Sequence, residues 1–597
     1  MNAPNPFTTR PEISGRFGVV TSTHWLATAA GMSILEQGGN AFDAAIATGT
    51  SLHVVEPHQN GPAGETPLIF HSVDQGGVKV ICGQGVAPRA ATPEAFTSLG
   101  LDVVPGSGLL PAVVPGSFGA WMLLLAEYGT MTVREVLTPA IGYARNGFQL
   151  VYNIPTIVGN MSEMFLNEWP SSAAVYMPGG KPPDINKPFK RPVLADTFER
   201  IIREAEAVGG NREQQIEAAR RCFYEGFVAE TIDNFCRDNE LMDTSGERHR
   251  GLLTGDDMAK WRATIEEPLS YDYGDYTVYK TGPWAQGPVF LQHLALLKGF
   301  DLAKMGPNSA EFIHTVIECG KLAFADRDAF YGDPDFVDVP LDVLLSDAYN
   351  DERRALVGPD ASFELRPGEV PGYSNEIITR LKGTTDIAHA ESLDFAYPEP
   401  EVYEGDTTHF DIIDRHGNMI SGTPSGTSLH TTPVVEGLGF GLTARGQMYW
   451  LKEGLPGTIA PGKRPRTTLT PTLALRGGKP YMAFGTPGGD HQDQWSMAMF
   501  LRHVHFGHDL QAANDAPAFH TNHLASSFFP RECDPGSLSV EGRLEKAAYD
   551  ELSRRGHRLE VYGDYDLGYV TAATREAGGL LRAGASPRGG HCYATGR

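Results

Sequence analysis

Hydrophobic positions recur along this chain with two periods, and the helical one governs the first two thirds. Residues 24–36 carry apolar side chains at helical spacing and stop at Gly38-Gly39, after which residues 41–55 form a second apolar run. Thr132 and Glu135 make a capping box ahead of Val136, Leu137, Ala140 and Ile141. Asn308 with Glu311 is expected to do the same ahead of Phe312, Val316, Cys319 and Ala323. Residues 196–208 predict a further helix ending at Gly209-Gly210. A strand-like pattern dominates later: 271–279, 410–423, 472–484 and 558–562 are short β-branched or aromatic runs bounded by turn residues. Neither an internal repeat nor a low-complexity tract interrupts the pattern.

The longest uncharged run, 103–126, could span a bilayer by length alone. It holds Pro105, Pro111, Pro115 and four glycines, so it reads as a loop followed by a buried helix. At 597 residues the chain has room for several domains, and 41% hydrophobic with 20% charged residues is a globular balance. A net charge of −24 repels phosphate backbones and anionic headgroups, which removes nucleic acid and membrane surfaces as expected partners. The six cysteines form no CxxC pair and fit a reducing cytosol. The first residues lack a basic stretch followed by an apolar core, so a cytoplasmic location is expected.

One segment differs from its neighbours. Residues 391–406 hold six acidic side chains, no Lys or Arg, and Pro398 and Pro400, a composition expected to lie exposed as a linker. A strand through Phe410, Ile412 and Ile413 follows, turns through Arg415-His416-Gly417-Asn418, and returns through Met419 and Ile420. Thr407 thus stands where an acidic linker becomes a strand. The junction is either a surface loop entering a hairpin or a site of self-cleavage. In the second case the cut would give Thr407 a free α-amine of pKa about 7.7–8, able to take the proton of its own hydroxyl.

At this junction the sequence resembles the γ-glutamyltransferase family of N-terminal-nucleophile hydrolases. Asp406-Thr407-Thr408-His409 with Asp414-Arg415-His416-Gly417-Asn418 is similar to its processing site. Gly38 to Ala45 with Val55-Glu56-Pro57-His58, Lys321 to Asp328 with Gly332-Asp333-Pro334, Arg464-Pro465 through Pro471-Thr472, and Gly485-Thr486-Pro487-Gly488-Gly489 resemble further family motifs in the same order. The resemblance implies a four-layer αββα sandwich and a precursor cut between Asp406 and Thr407. It implies a large piece, 1–406, and a small piece, 407–597, intertwined as one structural unit. Thr407 would be both the processing and the catalytic nucleophile. Gly488 and Gly489 would form the oxyanion hole, and Ser425 matches a threonine that contacts the nucleophile. Thr467 and Thr468 match paired serines that hold an α-carboxylate, and Gln447 matches a pocket glutamine. No metal or organic cofactor is implied.

Three departures bear on the substrate. Gln84 replaces the family's carboxylate-gripping arginine, Trp450 its amine-binding aspartate, and Thr427 its pocket asparagine. A glutamyl head group would lose both counter-charges. Arg466 and Arg445 offer substitute anion contacts, with structural ion pairs as the alternative, and Tyr449 with Trp450 offers an apolar wall. This chain is similar in kind to family branches acting on oxamate and on cephalosporin side chains. The expected reaction is cleavage of a small non-glutamyl amide through an acyl-enzyme, released by water or an acceptor amine. A true γ-glutamyltransferase and an uncut, silent binding protein are the alternatives, and a homodimer or heterotetramer is compatible with either piece count.

His503, His505 and His508 have a spacing that can signal a metal. On a helix His503 and His505 would point about 200° apart and could not share an ion. Gly422-Thr423-Pro424-Ser425-Gly426 has proline where a nucleophile elbow needs serine, so a serine triad is not expected.

Overall fold

The computed structural model describes residues 7–383 and 406–597. Two seven-stranded sheets organise the molecule. In the first, the order is Ile13–Gly15, Leu581–Ala585, Thr571–Arg575, Lys479–Gly485, Thr472–Arg476, Tyr276–Lys280 and Leu269–Tyr273. In the second it is Tyr593–Gly596, Gly18–Ser22, Phe410–Asp414, Met419–Gly422, Leu68–His71, Val78–Cys82 and Thr264–Glu266. Every pairing within these two sheets is antiparallel.

Successive residues of a strand face opposite sides, and the core follows that rule. Val20, Ile412 and Ile420 pack outward with residues of helices Trp25–Glu36 and Ala41–Val55. Their chain neighbours Val19, Ile413 and Met419 pack inward with Leu473, Ala483 and Ala573 of the facing sheet. Ala474, Met482, Phe484 and Ala572 then face helices Gly287–Leu297, Ala310–Phe330 and Gln492–Phe506. The layers are therefore helix, sheet, sheet, helix, the αββα arrangement that the family resemblance implied. Helix Ala41–Val55 is buried along its whole length, which is why its sequence shows a continuous apolar run instead of a stripe.

Several local expectations hold. The Thr132–Glu135 capping box starts helix Val133–Asn146, and the run 103–126 is a loop leading into buried helix Ser117–Tyr128. Others need correction. The cap of helix Ala310–Phe330 is Ser309, whose hydroxyl accepts from the Phe312 amide, and not Asn308. The helix read at 196–208 begins earlier, at Pro192, a residue suited to a first helical turn because its missing N–H would be unpaired there anyway. The run 271–279 is two strands of a hairpin folded at Gly274, which has φ +59°. Strands Gly18–Ser22, Leu68–His71 and Val78–Cys82 escaped the sequence reading: short, mostly buried runs show no alternation.

Candidate active site

The expected exposed linker ends in the interior. Asp406 is 6% exposed and Thr407 1%, which corrects the expectation at that end; residues 391–405 lie outside the described residues. Burial has a backbone cause. Ser425 bridges Thr407 on one side and Glu65 on the other, and the Thr408 amide donates to the Pro424 carbonyl at 2.8 Å. The hairpin of Phe410–Asp414 and Met419–Gly422 thereby carries its pairing one step beyond its last residues and pins the threonine at the sheet end.

The Thr407 hydroxyl lies 3.2 Å from Ser425 Oγ, and the Thr407 amide donates to Gln59 Oε1 at 3.0 Å. Ser425 Oγ in turn donates a short hydrogen bond to the carbonyl of Asp406, the carbonyl of the bond expected to break. Arg445 Nη2 donates to the same Ser425 oxygen, to Asp406 Oδ1 at 3.2 Å and to Glu65 Oε2 at 3.3 Å. A guanidinium, a hydroxyl and a carbonyl are thus in series, each polarising the next in a site shielded from water. Burial pushes the Glu65 and Asp406 carboxyls up, and Arg445 opposes it. Arg445 is consequently an ion-pairing residue of the junction and is not free to hold a substrate anion.

Gly488 and Gly489 follow the strand Lys479–Gly485, whose last residue lies against His409: a Cβ on Gly485 would stand 2.3 Å from the imidazole. The glycine turn and Thr407 therefore leave neighbouring strand ends. Gly488 has φ +119°, and a Cβ there would meet the Trp495 ring at 2.2 Å, so glycine is required on both counts. Asp490, which follows Gly489, accepts from the Ser527 amide at 2.7 Å and hydroxyl at 2.6 Å and pairs with Arg327. Burial alone would raise this carboxyl, but Arg327, Arg466 and Ser527 outweigh it and hold it at about 2. Gln286 accepts from Arg327 at 2.9 Å and donates to the Gly489 carbonyl at 3.4 Å.

The other expected residues divide. Thr467 and Thr468 are fully buried; the Thr467 amide donates to the carbonyl of Trp284, two residues before Gln286, and the Thr468 hydroxyl has no partner among the described residues. Thr427 also has a buried hydroxyl without a partner among the described residues and sits at φ +62°. Gln447 is held at both ends of its amide, by the Phe529 N–H at 3.0 Å and the Gly106 carbonyl at 3.4 Å. Arg466 donates to Ser527 Oγ at 2.8 Å and stands 3.7 Å from Asp328, so its position is structural. Among the described residues no hydrogen bond joins Gln84 to this cluster; it lines a cavity of about 900 Å³ with Cys82, Arg89, Lys260, Glu266 and Arg464, whose lining does not include Thr407. Sequence reasoning missed Gln59, Glu65, Gln286 and Asp490. Two of these directly follow motif residues, Gln59 after His58 and Asp490 after Gly489, and that adjacency was the available signal.

The histidine cluster does not converge. His503 meets the Tyr481 hydroxyl and His505 the Tyr273 hydroxyl, each at 2.7 Å. Among the described residues, His314, Glu318 and His557 do have metal-like spacing, but Glu318 already pairs with Lys321 at 2.6 Å.

The γ-glutamyltranspeptidase family model matches residues 27–595. The chain belongs to that family. It is 31% identical over 581 residues to the glutathione hydrolase-like YwrD proenzyme of Bacillus subtilis (strain 168), covering 97% of this chain and 98% of that protein. The solved structure of LmbA2991HD is 48% identical with a TM-score of 0.92, over 99% of this chain and 100% of the other. Cephalosporin acylase from Bacillus halodurans is 27% identical with a TM-score of 0.82, over 100% of this chain and 99% of the other. This γ-glutamyltranspeptidase-family chain is an enzyme of the N-terminal-nucleophile hydrolase kind. No helix among its described residues is long and apolar enough to cross a membrane.

Proposed function

We propose that the chain is a self-processing threonine hydrolase that cuts itself between Asp406 and Thr407 and then cleaves a small non-glutamyl amide. The contact that carries this reading is the Thr407 hydroxyl 3.2 Å from Ser425 Oγ, which donates to the Asp406 carbonyl. In processing, the Thr407 oxygen attacks that carbonyl carbon, the C–N bond breaks as the hydroxyl proton passes to the departing Thr407 nitrogen, and an ester joins Asp406 to the threonine side chain. Water then hydrolyses the ester, leaving the Asp406 carboxylate and a free Thr407 amine. In turnover the amine takes the hydroxyl proton as Thr407 attacks the substrate amide. The Gly488 and Gly489 amides stabilise the oxyanion, the leaving amine receives the proton, and water or an acceptor amine releases the acyl group. Gln59, which accepts from the Thr407 amide, would orient the new amine.

The non-glutamyl preference rests on Trp450 and Thr427 where the family resemblance expects an aspartate and an asparagine, and on Gln84 lining a different cavity. A γ-glutamyl activity remains the second reading, favoured by the name of the Bacillus subtilis relative. The mature protein should hydrolyse simple acyl anilides faster than a γ-glutamyl anilide, and added dipeptide acceptor should not accelerate release. Rapid, acceptor-stimulated release from the γ-glutamyl anilide would establish the second reading instead. A Thr407→Ala chain should stay uncut and inactive; cleavage at the normal rate would assign the nucleophile elsewhere.

A further inference from the structure

The two glycines of the turn have their acceptors engaged and their donors spare. The Gly488 carbonyl accepts from the His491 amide at 2.9 Å, and the Gly489 carbonyl accepts from the Gln492 amide and from Gln286 Nε2. Among the described residues neither glycine amide donates a hydrogen bond. Two successive unpaired amides in left-handed backbone, at φ +119° and +53°, make a concavity suited to a developing anion. Such a hole accelerates a reaction only if its donors are already in place when the charge forms.

One side chain fixes that place. The three atoms nearest to a Cβ on Gly488 all belong to the Trp495 ring, at 2.2, 3.0 and 3.1 Å, so the Gly488 backbone rests directly on the indole. Trp495 stands in the first turn of helix Gln492–Phe506 and is 5% exposed. His520 meets the ring edge-on, with centroids 5.4 Å apart and planes at 84°, and the His491 ring lies 5.1 Å away. Gly568, at φ +87°, brings its backbone so close that a Cβ there would stand 3.1 Å from the ring. The amide of the following residue, Tyr569, donates to Thr486 Oγ1 at 3.2 Å, so one segment secures the strand side of the turn and the ring beneath it. The indole Nε1 is buried without a partner among the described residues, which leaves shape and packing as what the ring contributes.

We propose that Trp495 is the positioning residue of the oxyanion hole in substrate turnover, and that self-cleavage does not depend on it. The second half follows from the junction. The Asp406 carbonyl accepts from Ser425 Oγ, to which Arg445 donates, and the glycine turn takes no part in these contacts. One nucleophile would thereby use two anion-stabilising devices, a hydroxyl backed by a guanidinium for its own peptide bond and a pair of glycine amides for the substrate.

This inference rests on the reading of Gly488 and Gly489 as the oxyanion hole of an amide hydrolase, and it can be tested with and without turnover. Trp495→Phe and Trp495→Leu chains should cut themselves at the unmodified rate, which also serves as the control for folding. On a simple acyl anilide Trp495→Leu should lose roughly 10- to 100-fold in kcat with KM unchanged, the cost of a displacement near 1 Å, and Trp495→Phe should fall between. Phenylboronate supplies the reading without turnover. Its boron takes the Thr407 oxygen while the hydroxyl proton passes to the Thr407 amine, which leaves a tetrahedral anion like the one formed in catalysis. Calorimetry should show its affinity falling in the same order and by a similar factor as kcat. Unchanged kcat and boronate affinity in Trp495→Leu, processing slowed as much as turnover in Trp495→Phe, or no boronate binding by the unmodified processed protein would each overturn the assignment. Boronate affinity that falls in the variants while no amide is hydrolysed by any of the three proteins would instead retain the role of Trp495 and defeat the amide-hydrolase reading.

Discussion

Thr427 shows how a single residue can be held against its own preference. A β-branched side chain at φ +62° carries strain of order 1–3 kcal/mol, and its hydroxyl is buried without a partner among the described residues. Gly61 makes the arrangement sterically possible, since a Cβ there would fall 2.0 Å from the Thr427 oxygen. Asparagine tolerates the left-handed region better and can bond its own backbone. Thr427→Asn should therefore raise stability by about 1 kcal/mol in denaturant unfolding while changing amide preference. Unchanged or reduced stability would show that the surrounding contacts, and not the backbone, decide the conformation at this position.

At the scale of an element, the helix Ala41–Val55 ends on a carboxyl in an unfavourable place. Glu56 caps it, buried, with the Thr23 hydroxyl donating to Oε2 and His591 at 3.4 Å. Burial raises its pKa from an ordinary 4.5 to about 8, although the Thr23 hydrogen bond opposes the shift, and a charge at a helix C-terminus would also face the negative end of the dipole. A raised folded-state pKa means that unfolding releases a proton between the two values. The contribution of Glu56 is then fully present below pH 4.5 and is lost as pH rises through about 8, at up to about 1.4 kcal/mol per pH unit. Glu56→Gln, neutral throughout, should gain stability relative to the unmodified protein as pH goes from 5 to 8 in parallel unfolding series. A constant difference between the two proteins would mean that Glu56 is ionised in the folded state. The sequence marked this helix but not the state of its cap, because burial of Glu56 depends on Thr23 and His591, which come from distant parts of the chain. The same limit explains the site. Thr407, Ser425 and the glycine pair were legible because they lie in contiguous motifs. Glu65 and Gln286 act through partners more than two hundred residues away in the chain: Arg445 serves Glu65, and the Gly489 carbonyl serves Gln286.

At the scale of the whole molecule, the sheets determine what the proposed cut between Asp406 and Thr407 would do. Strand Phe410–Asp414, from beyond the cut, lies between Gly18–Ser22 from before it and Met419–Gly422 from beyond it. Met419–Gly422 pairs in turn with Leu68–His71, so the second sheet is woven from both pieces. The first sheet repeats the pattern: Ile13–Gly15 pairs with Leu581–Ala585, and Tyr276–Lys280 with Thr472–Arg476. Separating the pieces would break backbone ladders in both sheets and expose the layer between them, where Val19 and Ile69 pack with Leu473 and Ala583. Each ladder is fully formed in the uncut chain, and hydrolysis at the proposed site would remove none of its hydrogen bonds. The processed protein should therefore elute from a sizing column under native conditions at the volume of an uncut Thr407→Ala chain. In denaturant it should resolve into bands of about 44 and 21 kDa, in proportion to the residues on either side of the cut in a 64.7 kDa chain. Elution of the small piece by itself without denaturant would mean that the strands cross the cut less firmly than their pairing indicates.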